Sequence, residues 1–160
     1  SDFATELLRA GRHEEALRAA LQCVEFAPEY ARGRSTLGWA YLKHGKVEEG
    51  LAQLERAVAL ATDNTLYLAQ LGDAYGQVGK LEQAREILRK LEELSQRQYV
   101  SPYHMAYVYT GLGEQETALD LLERAYKERA GSVYGIKGSF LFTSLHEHPR
   151  FKALLKAMNL

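Results

Sequence analysis

The sequence predicts an all-α fold assembled as a stack of helix–turn–helix units, and three observations carry that expectation. Gly11, Gly45, Gly79 and Gly113 recur at one constant interval, and a fixed period in the range of about 20–50 residues marks a repeat architecture. Apolar residues recur at helical spacing on both sides of a turn glycine: Leu66, Leu71, Ala74, Tyr75 and Val78 precede Gly79, and Leu81, Ala84, Ile87, Leu88 and Leu91 follow it. Small residues fill one column, Ala16, Gly50, Ala84 and Ala118, as required where two helices approach too closely for a larger side chain.

Each unit follows in order. The first reads "GRHEEAL" after its glycine and is short at its front, since Ser1 falls inside its first helix. A stacked unit buries its apolar face only against its neighbours, so an uncapped edge with Leu7 and Leu8 is expected to be a place for self-association. The next three units align "LGWAYLKHG", "LGDAYGQVG" and "MAYVYTGLG", which stack Leu37 with Leu71 and Met105, and Tyr41 with Tyr75 and Tyr109. In each, the glycine ends the first helix, where a left-handed residue without a Cβ costs least. Ser101 and Pro102 supply the N-cap and first residue of the last such helix. Residues 131–160 carry none of these columns. Their "SFLFTSL" is an apolar patch suited to pack on the last unit, and His148 with Pro149 opens a final helix bearing Phe151, Leu154, Leu155 and Met158. The expected organisation is therefore four units over residues 1–130 and a C-terminal cap over 131–160.

These columns resemble the tetratricopeptide repeat, whose pattern runs W-x2-LG-x2-Y and then G, A, F, A and P. The resemblance implies a right-handed superhelical solenoid. Departures are local: Arg34, Leu68 and Pro102 occupy the tryptophan column, and the closing proline survives only as Pro28. The C-terminal part of the chain, from "SPY" through "VYGIKGSFLF" and "HPRF", resembles the C-terminal segment of tetratricopeptide arrays in bacterial multidomain signalling proteins. In these the array follows a Ser/Thr kinase, a nucleotide cyclase or a winged-helix domain. That resemblance implies a cytoplasmic interaction or sensing arm of a larger protein.

Composition narrows the function classes. With 160 residues, 46% apolar and 26% charged, the chain has the makeup of a globular domain. A formal net charge of −1, without any block of like charge, argues against nucleic acid as the partner. An RNA-binding helical repeat would need a run of Lys and Arg along its groove, and only Arg32 and Lys43 stand there. No apolar run approaches the length needed to cross a bilayer, and the lone Cys23 permits no internal disulfide.

Chemistry is sparse. "GQVGK" and "HGKVEEG" fall on repeat turns and lack the spacing of a phosphate loop. His146 and His148 are two residues apart, not the four by which a helix presents two zinc ligands. Cys23 shares a column with Ala57 and Ala125, which marks a small packing residue. The reading is a non-enzymatic module with no cofactor and no metal.

In tetratricopeptide arrays the first helix of each unit lines the concave surface, where extended peptides bind. By position, the inner columns here are Trp39, Asp73 and Tyr107; Ser35, Ala69 and Tyr103; Gln70 and His104; with Arg32 and Lys43 at the ends of one helix. The Lys/Asn/Arg carboxylate clamp known in the family is absent, since its positions hold Ser35, Trp39, Gln70, Val100 and His104. Two rings two units apart are separated by about twice the 8–10 Å of neighbouring helices, too far to cage one cation. The expectation is an extended peptide anchored by Trp39 and the Tyr103/Tyr107 pair, with Asp73 favouring a basic residue between. The competing expectation is that these rings pack against adjacent helices or the cap.

Overall fold

The computed structural model describes residues 2–160; Ser1, which the sequence places inside the first helix, lies outside the described residues. The chain divides into two compact units, Ser1–Leu71 and Gly72–Leu160. The first contains α1 (Asp2–Arg9), α2 (His13–Phe26), α3 (Ala31–Lys43), α4 (Val47–Leu60) and the start of α5 (Thr65–Gln77). The second holds the rest of α5, then α6 (Leu81–Ser95), α7 (Pro102–Gly111), α8 (Gln115–Lys127), two short 3-10 segments (Gly131–Gly138 and Phe140–Leu145) and α9 (Pro149–Ala157).

The turn glycines behave as their spacing requires. Gly11, Gly45, Gly79 and Gly113 have φ between +72° and +81°, the left-handed region in which a Cβ is disfavoured. The helices that follow carry acidic residues in their first turns, Glu14 and Glu15, Glu48 and Glu49, Glu82, and Glu116. Such carboxylates offset the positive end of the helix dipole.

Within the first unit, α3 and α4 meet at a pair of glycines. A Cβ built on Gly50 would lie 2.9 Å from the Gly38 carbonyl oxygen and 2.7 Å from Leu42 Cγ; one on Gly38 would lie 2.9 Å from the Gly50 carbonyl oxygen. The backbones are thus in contact, and Leu51, Leu54 and Ala57 complete the seam. Arg34, in the tryptophan column, spends its guanidinium on the repeat itself, donating to the Pro28 carbonyl and to Gln53 Oε1, both at 2.8 Å.

The N-terminal edge differs from the sequence expectation. Leu7 and Leu8 are 3% and 4% exposed, because α1 turns them toward the core alongside Ala4. The exposed positions of α1 include Phe3, 68% accessible where its column mates Leu37 and Leu71 are buried, and Asp2, Glu6 and Arg9, the last two paired at 2.6 Å.

In the second unit the 3-10 segments bury Val133, Ile136, Leu141, Phe142 and Leu145. Helix α9 starts on His148, whose Nδ1 accepts from the Arg150 amide at 3.3 Å, with Pro149 in the first turn. The second helices of successive units start at His13, Val47, Leu81 and Gln115, and α9 starts at Pro149, again one period on. Residues 131–160 therefore keep the period of the repeat while losing its side-chain columns.

Candidate ligand-binding surface

The first helices of the units carry the candidate side chains. On α3, Arg32, Ser35, Trp39 and Lys43 follow one another at intervals of three, four and four residues, which places them on one helix face. Arg32 and Lys43 are exposed at its two ends. The Arg32 guanidinium pairs with Asp2 at 2.7 Å and keeps about half its side chain accessible. Between them the surface is closed: Ser35 is buried and its hydroxyl donates to Gln70 Oε1 on α5, and Trp39 is 2% exposed. Ala69 is buried and Gln70 half-buried. Next to this face Thr36 donates to the Arg32 carbonyl at 3.0 Å and lies 3.3 Å from the Thr5 hydroxyl. The first unit thus presents a floor of satisfied polar groups and a buried indole, with a cation at either end.

In the second unit the candidate residues lie beneath other side chains. Asp73 has no accessible surface; its Oδ1 accepts from Gln77 Nε2 at 2.9 Å. Gly111 of α7 approaches so closely that a Cβ there would stand 2.3 Å from the Asp73 carbonyl oxygen. Tyr103 and Tyr107 are 4% and 6% exposed. Their rings meet edge to face at 5.1 Å, and Phe142 of the second 3-10 segment stacks on Tyr107 at 4.8 Å and meets Tyr103 edge-on at 5.3 Å. Phe151 of α9 backs Phe142 at 6.5 Å. Burial pushes the Tyr107 phenol well above its ordinary value, and Tyr103 adds to the shift. His104, half-buried beside Tyr103, is lowered to about 4 by desolvation, so its imidazole is neutral at pH 7.

The sequence places Phe142 within an apolar patch suited to pack on the last unit, but does not single it out as the residue that covers Tyr103 and Tyr107. The signal was present in the period: Phe142 stands one repeat length after Val108, itself one repeat length after Ala74, and all three are buried. Tyr109, placed in the repeat's tyrosine column, is half-buried. His148, expected to open the last helix with Pro149, is the N-cap of α9 and places Nε2 3.2 Å from Glu116. Cys23 is a free thiol 3.1 Å from where a Cβ on Gly33 would stand, the contact of a packing residue. Among the described residues no three His, Cys, Asp or Glu side chains are grouped to hold a metal, and no helix is long and apolar enough to cross a membrane.

Paired helices with left-handed glycine turns, repeated at a constant period, define a helical-repeat protein. Family models agree: two described as tetratricopeptide repeat match residues 7–74 and 67–98, together more than half of the chain, and the chain belongs to the tetratricopeptide-repeat family. Among solved structures it is similar to the nearly identical TPR-like repeats assigned to a kinesin light chain of Podosopora anserina, with TM-score 0.56 and 18% identity over 99% of this chain and 90% of that one. It is likewise similar to MamA, with TM-score 0.52 and 19% identity over 99% of this chain and 96% of the other. At such identities the likeness concerns the fold. A comparison with curated protein sequences finds no match. Tetratricopeptide-repeat proteins are in general non-catalytic scaffolds, and what the repeats support for this chain is the coarse role of a protein–protein interaction module.

Proposed function

We propose that the protein is a non-catalytic module that binds an extended protein segment on the first-helix face of its N-terminal unit. The observation that carries this reading is the α3 face, where Arg32 and Lys43 stand exposed eleven residues apart on one side of the helix. Eleven residues rise about 16 Å, the length of about five residues of extended chain. The segment that fits carries two carboxylates about five residues apart, with small or polar residues passing over Ser35, Trp39 and Gln70. Lys43 at one end, and at the other Arg32, which an incoming carboxylate would share with Asp2 across an exposed pair, favour an acidic rather than a basic ligand.

Asp73, Tyr103, His104 and Tyr107 take an indirect part in this reading. They are buried or half-buried and hold the second unit's inner helices in place, while the residues nearer the N-terminus meet the ligand. Residues 131–160 act as the C-terminal cap of the array. Their resemblance to caps in bacterial multidomain signalling proteins supports placing the module, in the cytoplasm, as an interaction arm of such a protein. Selection from a random peptide library tests the binding reading: enriched sequences should carry Asp or Glu about five positions apart. Enrichment of basic or uncharged sequences would sink it.

A second reading, self-association through the N-terminal edge, is favoured by one observation, the accessible ring of Phe3. Light scattering across a hundredfold range of concentration decides it: a constant monomer mass removes it.

A further inference from the structure

We propose a second binding site, in the cleft between α8 and α9, for a peptide segment in which a leucine-sized apolar side chain stands beside a carboxylate. It does not rest on the reading of the α3 face, and no residue of α7 lines it. The cleft has a volume of about 280 Å³. That lies just under the roughly 300–1,000 Å³ of sites that hold whole small molecules, so it suits one side chain and its neighbour.

The floor is apolar. Leu154 is buried at the base, and Ala153 and Ala157, one turn apart on α9, leave the opening that larger side chains would close. The ring of Tyr126 forms a wall, and its hydroxyl is committed, donating to the Ala157 carbonyl at 2.9 Å. That bond ties the C-terminal ends of the two helices together, so the cleft keeps its width.

The rim assigns the ligand's charge. Arg150, at one end, is engaged by three carboxylates, Glu116 and Asp120 at 2.6 Å and Glu123 at 3.0 Å. Lys127, exposed at the other end, enters no ion pair among the described residues. Its nearest acidic neighbours are engaged elsewhere, Glu128, just past the end of α8, by Arg124 at 2.6 Å and Glu123 on α8 by Arg150. Asp120 lies seven residues back, about 10 Å along the helix, which is beyond the roughly 8 Å over which exposed charges act at physiological ionic strength. A carboxylate entering above Ala153 and Ala157 therefore meets Lys127 first.

The test uses acetyl-Leu-Asp-amide and its uncharged isostere acetyl-Leu-Asn-amide as probes, titrated into the protein and followed by backbone amide chemical shifts. The site predicts shifts concentrated at Tyr126, Lys127, Ala153 and Ala157, with Kd for the aspartyl probe in about the millimolar range expected of so small a ligand. Lys127→Glu should weaken the aspartyl probe by about fivefold or more and change the asparaginyl probe by less than about twofold. Ala153→Phe, which fills the cleft, should abolish both. The proposal is overturned if no localised shifts appear up to about 20 mM probe, or if the two probes bind alike in both the wild type and the Lys127→Glu variant. Should Ala153→Phe fail to fold, the surface substitution at Lys127 decides by itself.

Discussion

At the scale of single residues the structure makes opposite demands on glycines that look alike in sequence. Alanine in a helix interior is ordinarily better than glycine by up to about 1 kcal/mol, yet Gly50→Ala forces a Cβ against the Gly38 carbonyl and Leu42. It should destabilise the protein by about 1–3 kcal/mol, measured as a shift of the urea midpoint at constant m-value. Gly45→Ala meets no atom within 4 Å but must take φ near +72°, costing about 1 kcal/mol. If Gly50→Ala proved the milder of the two, the contact between α3 and α4 would be wrongly drawn. His104 supplies a pH signature. Its folded value near 4 lies below the usual 6.5, so the unfolded chain binds the extra proton between these values, and stability falls as pH drops from about 6.5 toward 4. Between pH 7 and 5 the loss from this group is up to about 2 kcal/mol, and His104→Gln should remove that part of the slope in urea titrations at the two pH values.

At the scale of elements, the helices and turns of the repeats were legible because each rests on a local rule. A constant period, a glycine at the turn and an apolar stripe locate α2 to α8 without reference to anything distant. Residues 131–160 were less legible. Their 3-10 segments, the first running through Gly135 and ending at Gly138, bury Phe142 through contacts with Tyr103 and Tyr107, partners on α7 that no pattern local to the segment names. The same separation explains the site. Trp39, Tyr103 and Tyr107 share the composition of a binding hot spot, and only packing decides that their rings lie almost wholly inside. Phe142→Ala should therefore cost about 3–5 kcal/mol and raise the ultraviolet absorbance change of tyrosines on solvent perturbation as Tyr103 and Tyr107 become wet. An unchanged tyrosine signal in a folded variant would show that Phe142 is not their cover. Helix α9 depends on a different force. Arg150 reaches Glu116, Asp120 and Glu123 on α8, so Arg150→Gln should speed amide exchange over residues 149–157 more than elsewhere. Because the pairs face solvent, the difference should shrink in about 1 M salt; an effect independent of salt would assign the role to packing of the arginine stem.

At the scale of the whole molecule, the repeat provides a scaffold on which function is read from side chains rather than from the fold. The family and its paired helices supply an interaction scaffold, and in the proposed function the residues on α3 set the chemistry of the binding face, with Arg32 and Lys43 exposed at the two ends of a closed floor. Charge reversal at Arg32 and Lys43 tests whether these residues hold the ligand. An acidic peptide obtained by selection, with its two carboxylates about five residues apart, is titrated by calorimetry into the wild type and into the Arg32→Glu/Lys43→Glu double variant, with thermal unfolding used to check that both are folded. The double variant should bind the acidic peptide at least about tenfold more weakly, a loss of about 1.4 kcal/mol or more. Replacing the peptide's two acidic residues by lysine should restore part of the affinity for the variant alone. Equal affinity of the acidic peptide for both proteins would move the binding surface off α3.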